Sequence, residues 1–272
     1  MARRQKLIVY VLKANGHREK FNEEKIIRTC LKAEVSRKIA LEIVKKIKSA
    51  AKDGIRTKDI FRMILDELDR IQHSSLFFFR LRDAIAKLDS VSYELYIKEI
   101  LESHGYECQW NKIIKGKSVE HQVDVIAKRT KLFLVECKKH VNPHRFCGLG
   151  IILQVEARLE DIKDGFNEGK NNYDFDQAWI FNNTRFSEHA IKYAEAKGIL
   201  LSGWGYKGKL AIEKMADKNK VYPVTILKTE PSVYQRLLHQ RIITIQDVMK
   251  EKIKIQSRIA DDLRNQVSAI LV

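Results

Sequence analysis

Residues 119–127 and 131–138 are β-branched and aromatic runs joined by a short polar link, and each carries charge where a buried strand carries none. The first run holds Asp124 within Gln122-Val123-Asp124-Val125-Ile126. The second ends Leu134-Val135-Glu136-Cys137-Lys138. Alternate residues of a strand share a face, so Glu136 and Lys138 point one way and Cys137 the other. If the two strands pair, Asp124 and Glu136 approach within a few ångström. Two carboxylates that close repel each other, and a divalent cation between them reverses the sign of the interaction. Mg²⁺ (or Mn²⁺) takes carboxylate oxygens and keeps several waters. A metal so held polarises a phosphate and activates water, and Lys138 would orient that water or neutralise developing charge.

Helix and strand signals alternate around these two runs. Residues 90–104 predict an amphipathic helix closed by Gly105, and strands follow at 106–110, 119–127 and 131–138. A basic loop with Lys112, Lys115 and Lys117 joins the first two. A helix is expected over 146–164, ended by Gly165. Then come a strand at 176–182, a helix over 187–197 closed by Gly198, and a strand at 199–203. This alternation predicts a mixed-sheet α/β domain over 89–206. Upstream, 7–13 reads as a strand, Asn15-Gly16 as a turn, and Arg18 to Phe21 as its hairpin partner. Asn22 caps the first of four helices at 23–33, 36–52, 57–70 and 74–88. The first domain, 1–88, is thus a small hairpin with a helical bundle. The tail, 207–272, shows an extended piece near 221–227 and then Lys-rich helices. A break at Ile242-Ile243-Thr244 suggests a packing or dimerising helix pair.

Charge separates along the same boundaries. The chain has 51 basic and 35 acidic residues, a net +16. Residues 1–88 hold 22 and 11 (+11), 89–206 hold 16 and 17 (−1), and 207–272 hold 13 and 7 (+6). The basic flanks suit a polyanion such as nucleic acid, and the acidic middle suits a cation site. No apolar run approaches the ~18 residues of a membrane span, and Leu7 to Leu12 is too short for a signal peptide, so a cytoplasmic protein is expected. Cys30, Cys108, Cys137 and Cys147 form no CxxC pair, which predicts reduced thiols rather than a zinc site.

Eleven residues separate Asp124 from Glu136-Cys137-Lys138, and this spacing resembles the PD-(D/E)xK nuclease signature. Tyr93-Glu94 with Gly105-Tyr106, the two strand motifs above, and Phe186-Ser187-Glu188-His189-Ala190 with Ala194 to Ile199 resemble the Mrr-like restriction endonucleases and their Holliday-junction resolvase relatives. The resemblance covers about 89–205. It implies an Mg²⁺-dependent DNA endonuclease with Asp124 and Glu136 as metal ligands, Lys138 as a catalytic partner and Glu94 as an acidic helix residue near the metal. Spacing from Ile97 and Leu101 puts Glu94 at the edge of the helix's inward face. A polar helix residue facing the site falls at Gln154. His121 shares its face with Val123, which favours a structural or phosphate-contact role.

The segment Val9 to Asn22 with Lys25-Ile26, together with Gly54-Ile55-Arg56-Thr57-Lys58-Asp59-Ile60, resembles the ATP-cone, a nucleotide-binding regulatory module. The resemblance spans 6–88. It implies an adenine nucleotide, ATP or dATP, lined by Val11, Lys13, Glu19, Asn22, Lys25 and Thr57. Lys13 and Lys25 can neutralise phosphates, and the helix start at Asn22 offers backbone N–H groups. No GxxxxGK[ST] loop is present, so hydrolysis of the nucleotide is not expected. Two functions remain open: a nucleotide-modulated DNA endonuclease, in which cutting both strands would favour a homodimer, or a nucleotide-sensing DNA-binding protein with a catalytically inactive nuclease fold.

Overall fold

The computed structural model describes residues 9–31, 35, 37–70, 75–142, 145–250 and 253–271. The chain divides into two compact units, Met1–Arg80 and Leu81–Val272. Among the described residues no helix is long and apolar enough to cross a membrane.

In the first unit, β1 (Tyr10–Leu12) pairs antiparallel with β2 (Arg18–Lys20) across the Asn15-Gly16 turn. Gly16 has φ +82, a conformation that costs glycine least. Helices α1 (Glu23–Leu31) and α2 (Arg37–Ala50) follow, then β3 (Ile55–Arg56), which pairs parallel with β1, and α3 (Thr57–Arg70). The expected ends of the first two helices at 33 and 36 lie outside the described residues. Ile26, Ile27 and Cys30 of α1, Ile43, Val44 and Ile47 of α2, and Ile60, Ile64 and Leu68 of α3 form one core under Val11. Within each helix they return after three or four residues, so each helix presents one apolar stripe.

The chain continues through α4 (Ser75–Lys87) into α5 (Ser90–Ser103). Asp89 caps α5 by accepting from the Ser92 N–H at 2.8 Å, and Gly105 at φ +82 closes its far end. Three antiparallel strands follow: β4 (Glu107–Lys115), β5 (Glu120–Lys128) and β6 (Leu132–Lys138). After β7 (Phe146–Cys147) and α6 (Leu149–Asn167) comes β8 (Gln177–Asn182), parallel to β6. Then β9 (Arg185–Phe186) pairs with β7, and α7 (Glu188–Ala196) leads to β10 (Leu200–Gly203), parallel to β8. The main sheet has the order β10-β8-β6-β5-β4. Interior strand β8 is buried at Ala178 to Asn182, as a parallel strand covered on both faces must be.

Three departures from the sequence expectation are informative. β4 runs on to Lys115, so Lys112 and Lys115 belong to a strand and not to a loop. Pairing with β5 overrides their weak strand propensity, with Lys112 opposite Val123 and Ile114 opposite His121. Phe146 and Cys147 form a strand, and α6 begins only at Leu149. Gly165 lies inside α6 instead of ending it. A Cβ there would stand 2.6 Å from the Gly116 carbonyl carbon, so the glycine permits the tip of the β4–β5 hairpin to lie directly on the helix. Asp161, one turn earlier, accepts from the Ser118 N–H at 2.9 Å and bonds the His121 ring at 2.8 Å. Its carboxyl is held far below the usual range, chiefly by His121.

The C-terminal region, with α8 (Ile212–Lys218), α9 (Pro231–His239), α10 (Ile245–Lys250) and α11 (Ser257–Leu271), is part of the second compact unit. The piece expected to be extended near 221–227 is so only at its flanks, because Val224–Ile226 close into a 3-10 turn between extended Pro223 and Leu227, and the segment is tied to the helices beside it. Tyr96 donates to the Val221 carbonyl at 2.9 Å and Thr225 to the Ala84 carbonyl at 2.7 Å.

Candidate active site

The β5–β6 ladder pairs Val125 with Val135 as its last rung. One residue further, Asp124 and Glu136 stand opposite each other where the ladder ends. The Cys137 N–H donates to the Asp124 Oδ2 at 2.7 Å, so a side chain takes the place of a strand bond and fixes the carboxylate. Val123 and Ile126 pack into the same core although strict alternation would send them to opposite faces. Opposite Asp124 in β4, between the rungs Trp110–Val125 and Lys112–Val123, stands Asn111 in the left-handed conformation at φ +53. Both strands therefore bend at this point.

Glu136 is buried, at 8% exposure, and pairs with the guanidinium of Arg158 on α6. Burial raises the carboxyl of Glu136, and the charge of Asp124 raises it further, against Arg158 and Lys138. Burial likewise raises Asp124, opposed by the Cys137 N–H, Arg158 and Lys138. Lys138 is exposed at the end of β6 and close enough to both acids to act on their ionisation. Each acid gives one oxygen to a protein donor, Cys137 N–H or Arg158, which leaves the second oxygen of each as a hard ligand. Two such oxygens suit Mg²⁺ or Mn²⁺, with water completing the shell. Among the described residues no group of three or more His, Cys, Asp or Glu side chains is disposed to hold a metal ion. Glu94 does not join the pair as a third ligand in this arrangement.

Glu94 lies part-buried on α5 and accepts from the Trp110 indole N–H at 3.0 Å. Burial, then the charge of Asp124, pushes its carboxyl to about 7, with Trp110 opposing and Glu136 adding to the rise. A carboxylate whose folded value lies above its unfolded value binds more protons when folded. It costs stability increasingly as pH rises from about 4.5 to 7. The advantage of Glu94→Gln over the native chain in metal-free Tm is expected to grow across that interval and level off above it. Equal Tm differences at pH 5 and pH 8 would show that Glu94 is not held in this environment.

Three residues of this site carried little or no sequence signal. Arg158 is one helical turn beyond Gln154, which is exposed on α6. Trp110 and Arg241 come together only in the fold, with the guanidinium 5.3 Å from the indole centroid. His121, bonded to Asp161 at the hairpin tip, is occupied structurally.

In the first unit, Lys13 and Lys25 both reach the Glu19 Oε2, at 2.8 and 2.7 Å. The two lysines lower the Glu19 carboxyl. Val11 lies opposite Glu19 in the hairpin, the Asn22 side chain accepts from the Lys25 N–H at 3.2 Å, and the Thr57 hydroxyl donates to the Leu12 carbonyl at 3.4 Å. The six expected residues thus gather around one small sheet and two helix starts.

Comparison with known proteins agrees with both halves. The ATP cone domain family matches residues 9–82, and a restriction endonuclease family matches 85–203. An uncharacterized protein of Archaeoglobus fulgidus is 37% identical over 151 residues, 55% of this chain and 82% of the relative. The crystal structure of AF1548, a protein of unknown function, is similar with a TM-score of 0.57 at 30% identity, covering 67% of this chain and 98% of that one.

Proposed function

Because the chain belongs to the family in which an ATP cone precedes an Mrr-type restriction endonuclease domain, we propose that it is a metal-dependent DNA endonuclease modulated by an adenine nucleotide. The observation that carries this reading is the opposed pair of acids at the end of the β5–β6 ladder, flanked by Lys138 and Arg158.

In this reading Asp124 and Glu136 hold the metal. Bound there, Mg²⁺ or Mn²⁺ would polarise the scissile phosphate and lower the pKa of a water. The protein's own groups do the positioning. Cys137 N–H turns Asp124, and Arg158 turns Glu136, each leaving one oxygen available. Lys138 places an ammonium beside both acids, where it steadies the attacking water or the phosphate oxygens. The basic flanks, +11 over 1–88 and +6 over 207–272, supply sequence-independent attraction to the DNA backbone.

The nucleotide reading rests on Lys13 and Lys25 sharing Glu19. A polyphosphate offers the two ammonium groups more negative charge than one carboxylate does. Cleavage of supercoiled, linear, branched and single-stranded DNA is to be measured with Mg²⁺, Mn²⁺ or EDTA, with and without ATP. Metal-dependent cleavage whose rate changes with ATP is expected. ATP at about 100 times its Kd should stabilise the chain by about 2.7 kcal/mol, and Lys13→Ala with Lys25→Ala should abolish that gain and the rate change while leaving cleavage itself. DNA binding without cleavage under every metal condition would favour the catalytically inactive, nucleotide-sensing alternative.

A further inference from the structure

The C-terminal region is bonded to the helix that carries Glu94. Helix α5 buries Tyr93, Ile97, Ile100 and Leu101, and its Tyr96 hydroxyl reaches out to the Val221 carbonyl. The segment after Val221 then meets the α9–α10 turn. Val224 N–H donates to the Ile243 carbonyl at 2.8 Å, and Ile245 N–H to the Tyr222 carbonyl at 2.9 Å. The turn itself is closed tightly. Ile242 N–H returns to the Leu237 carbonyl at 3.0 Å, and Asp247 accepts from the N–H groups of Ile243 and Thr244 at 3.0 and 2.8 Å. At its apex Arg241 takes φ +58, a left-handed position that glycine fills more easily.

From that apex the Arg241 guanidinium lies 5.3 Å from the centre of the Trp110 ring, and the Trp110 N–H is 3.0 Å from the Glu94 Oε2. Trp110 occupies the β4 rung next to the bend opposite Asp124. A cation over an indole face is attractive, and an indole N–H has only one direction in which to donate. The three groups therefore form a chain from the C-terminal turn to an acid beside the proposed metal pair. A non-glycine residue at a left-handed apex strains the turn, and Arg241 contributes nothing to closing the turn that glycine would not.

We propose that Arg241 and Trp110 are positioning residues of the nuclease, and that the C-terminal hairpin sets the orientation of Glu94 through the Trp110 indole. This rests on the endonuclease reading above. Neither residue touches the reacting phosphate; both act through Glu94.

The test compares the full chain with Arg241→Gly, Arg241→Lys and Trp110→Phe. Arg241→Gly removes the cation and relaxes the turn, so its Tm should equal or exceed that of the native chain. Its kcat for metal-dependent DNA cleavage should fall about threefold to fivefold with KM unchanged, in keeping with an exposed cation–π contact. Arg241→Lys should recover most of the loss. Trp110→Phe keeps an aromatic face for Arg241 and loses the N–H, and its kcat should fall about tenfold. In ¹⁵N spectra, the indole N–H signal missing from Trp110→Phe identifies Trp110, and that signal should move in Arg241→Gly. A native chain that cleaves DNA while Arg241→Gly and Trp110→Phe keep native kcat, or an indole signal unmoved in Arg241→Gly, overturns the positioning proposal alone. A native chain that cleaves none of the DNA forms with either metal overturns the endonuclease reading, and the positioning proposal with it.

Discussion

Asp124→Asn is expected to lower metal-dependent DNA cleavage by about a thousandfold or more while leaving the chain folded. An amide is a weaker metal ligand than a carboxylate, and loss of several kcal/mol of Lewis-acid stabilisation corresponds to that factor. The fold should survive because Asn keeps the oxygen that accepts from the Cys137 N–H. It should even gain in the metal-free state above neutral pH, because burial raises the Asp124 carboxyl and the neutral amide carries no desolvated charge. Cleavage rate and Tm measured side by side check both halves. An Asn variant cutting within tenfold of the native rate would remove Asp124 from the metal site.

Arg158→Leu carries the largest expected effect on stability. Glu136 sits at 8% exposure and relies on the Arg158 guanidinium. Removing one partner of a buried ion pair leaves the other uncompensated, at a cost of about 3 to 5 kcal/mol. The loss should be full at pH 8 and smaller at pH 5. Burial raises the Glu136 carboxyl above its unfolded value, so acid lets it become neutral and escape part of the penalty. The double variant Arg158→Leu with Glu136→Leu should regain most of the stability, since replacing a whole buried pair by apolar groups is often neutral. Urea unfolding at the two pH values measures each term. Equal destabilisation at both would mean that Glu136 does not depend on Arg158 for its charge.

Much of the architecture was legible in the residues because it is written in local periodicity. The three-four spacing of Ile26, Ile27 and Cys30, or of Ile60, Ile64 and Leu68, announces helices that need one buried side. The run from Val123 to Leu134 announces adjacent strands, and Glu136-Cys137-Lys138 places its own side chains by alternation. What escaped depends on distant partners. Lys112 and Lys115 became strand residues only because β5 lies beside them. Gly165 read as a helix end because its neighbour across space, Gly116, lies 49 positions earlier in the chain. The same holds for the candidate site. The acids follow from the motif, whereas Arg158, Trp110 and Arg241 converge from α6, β4 and the C-terminal turn, and no window of sequence spans them.

The meeting of Gly116 and Gly165 has a geometric consequence. Two backbones in contact, clamped by Asp161 across the Ser118 amide and His121, leave the hairpin tip one place to rest on α6. A slip of β5 by a single residue against β6 would exchange the faces of every side chain along it and send Asp124 into the opposite layer. With the tip seated, such a slip would force a residue bearing a Cβ into a space that admits none. An acid distant from the chemistry thereby decides which layer receives the acid that matters to it.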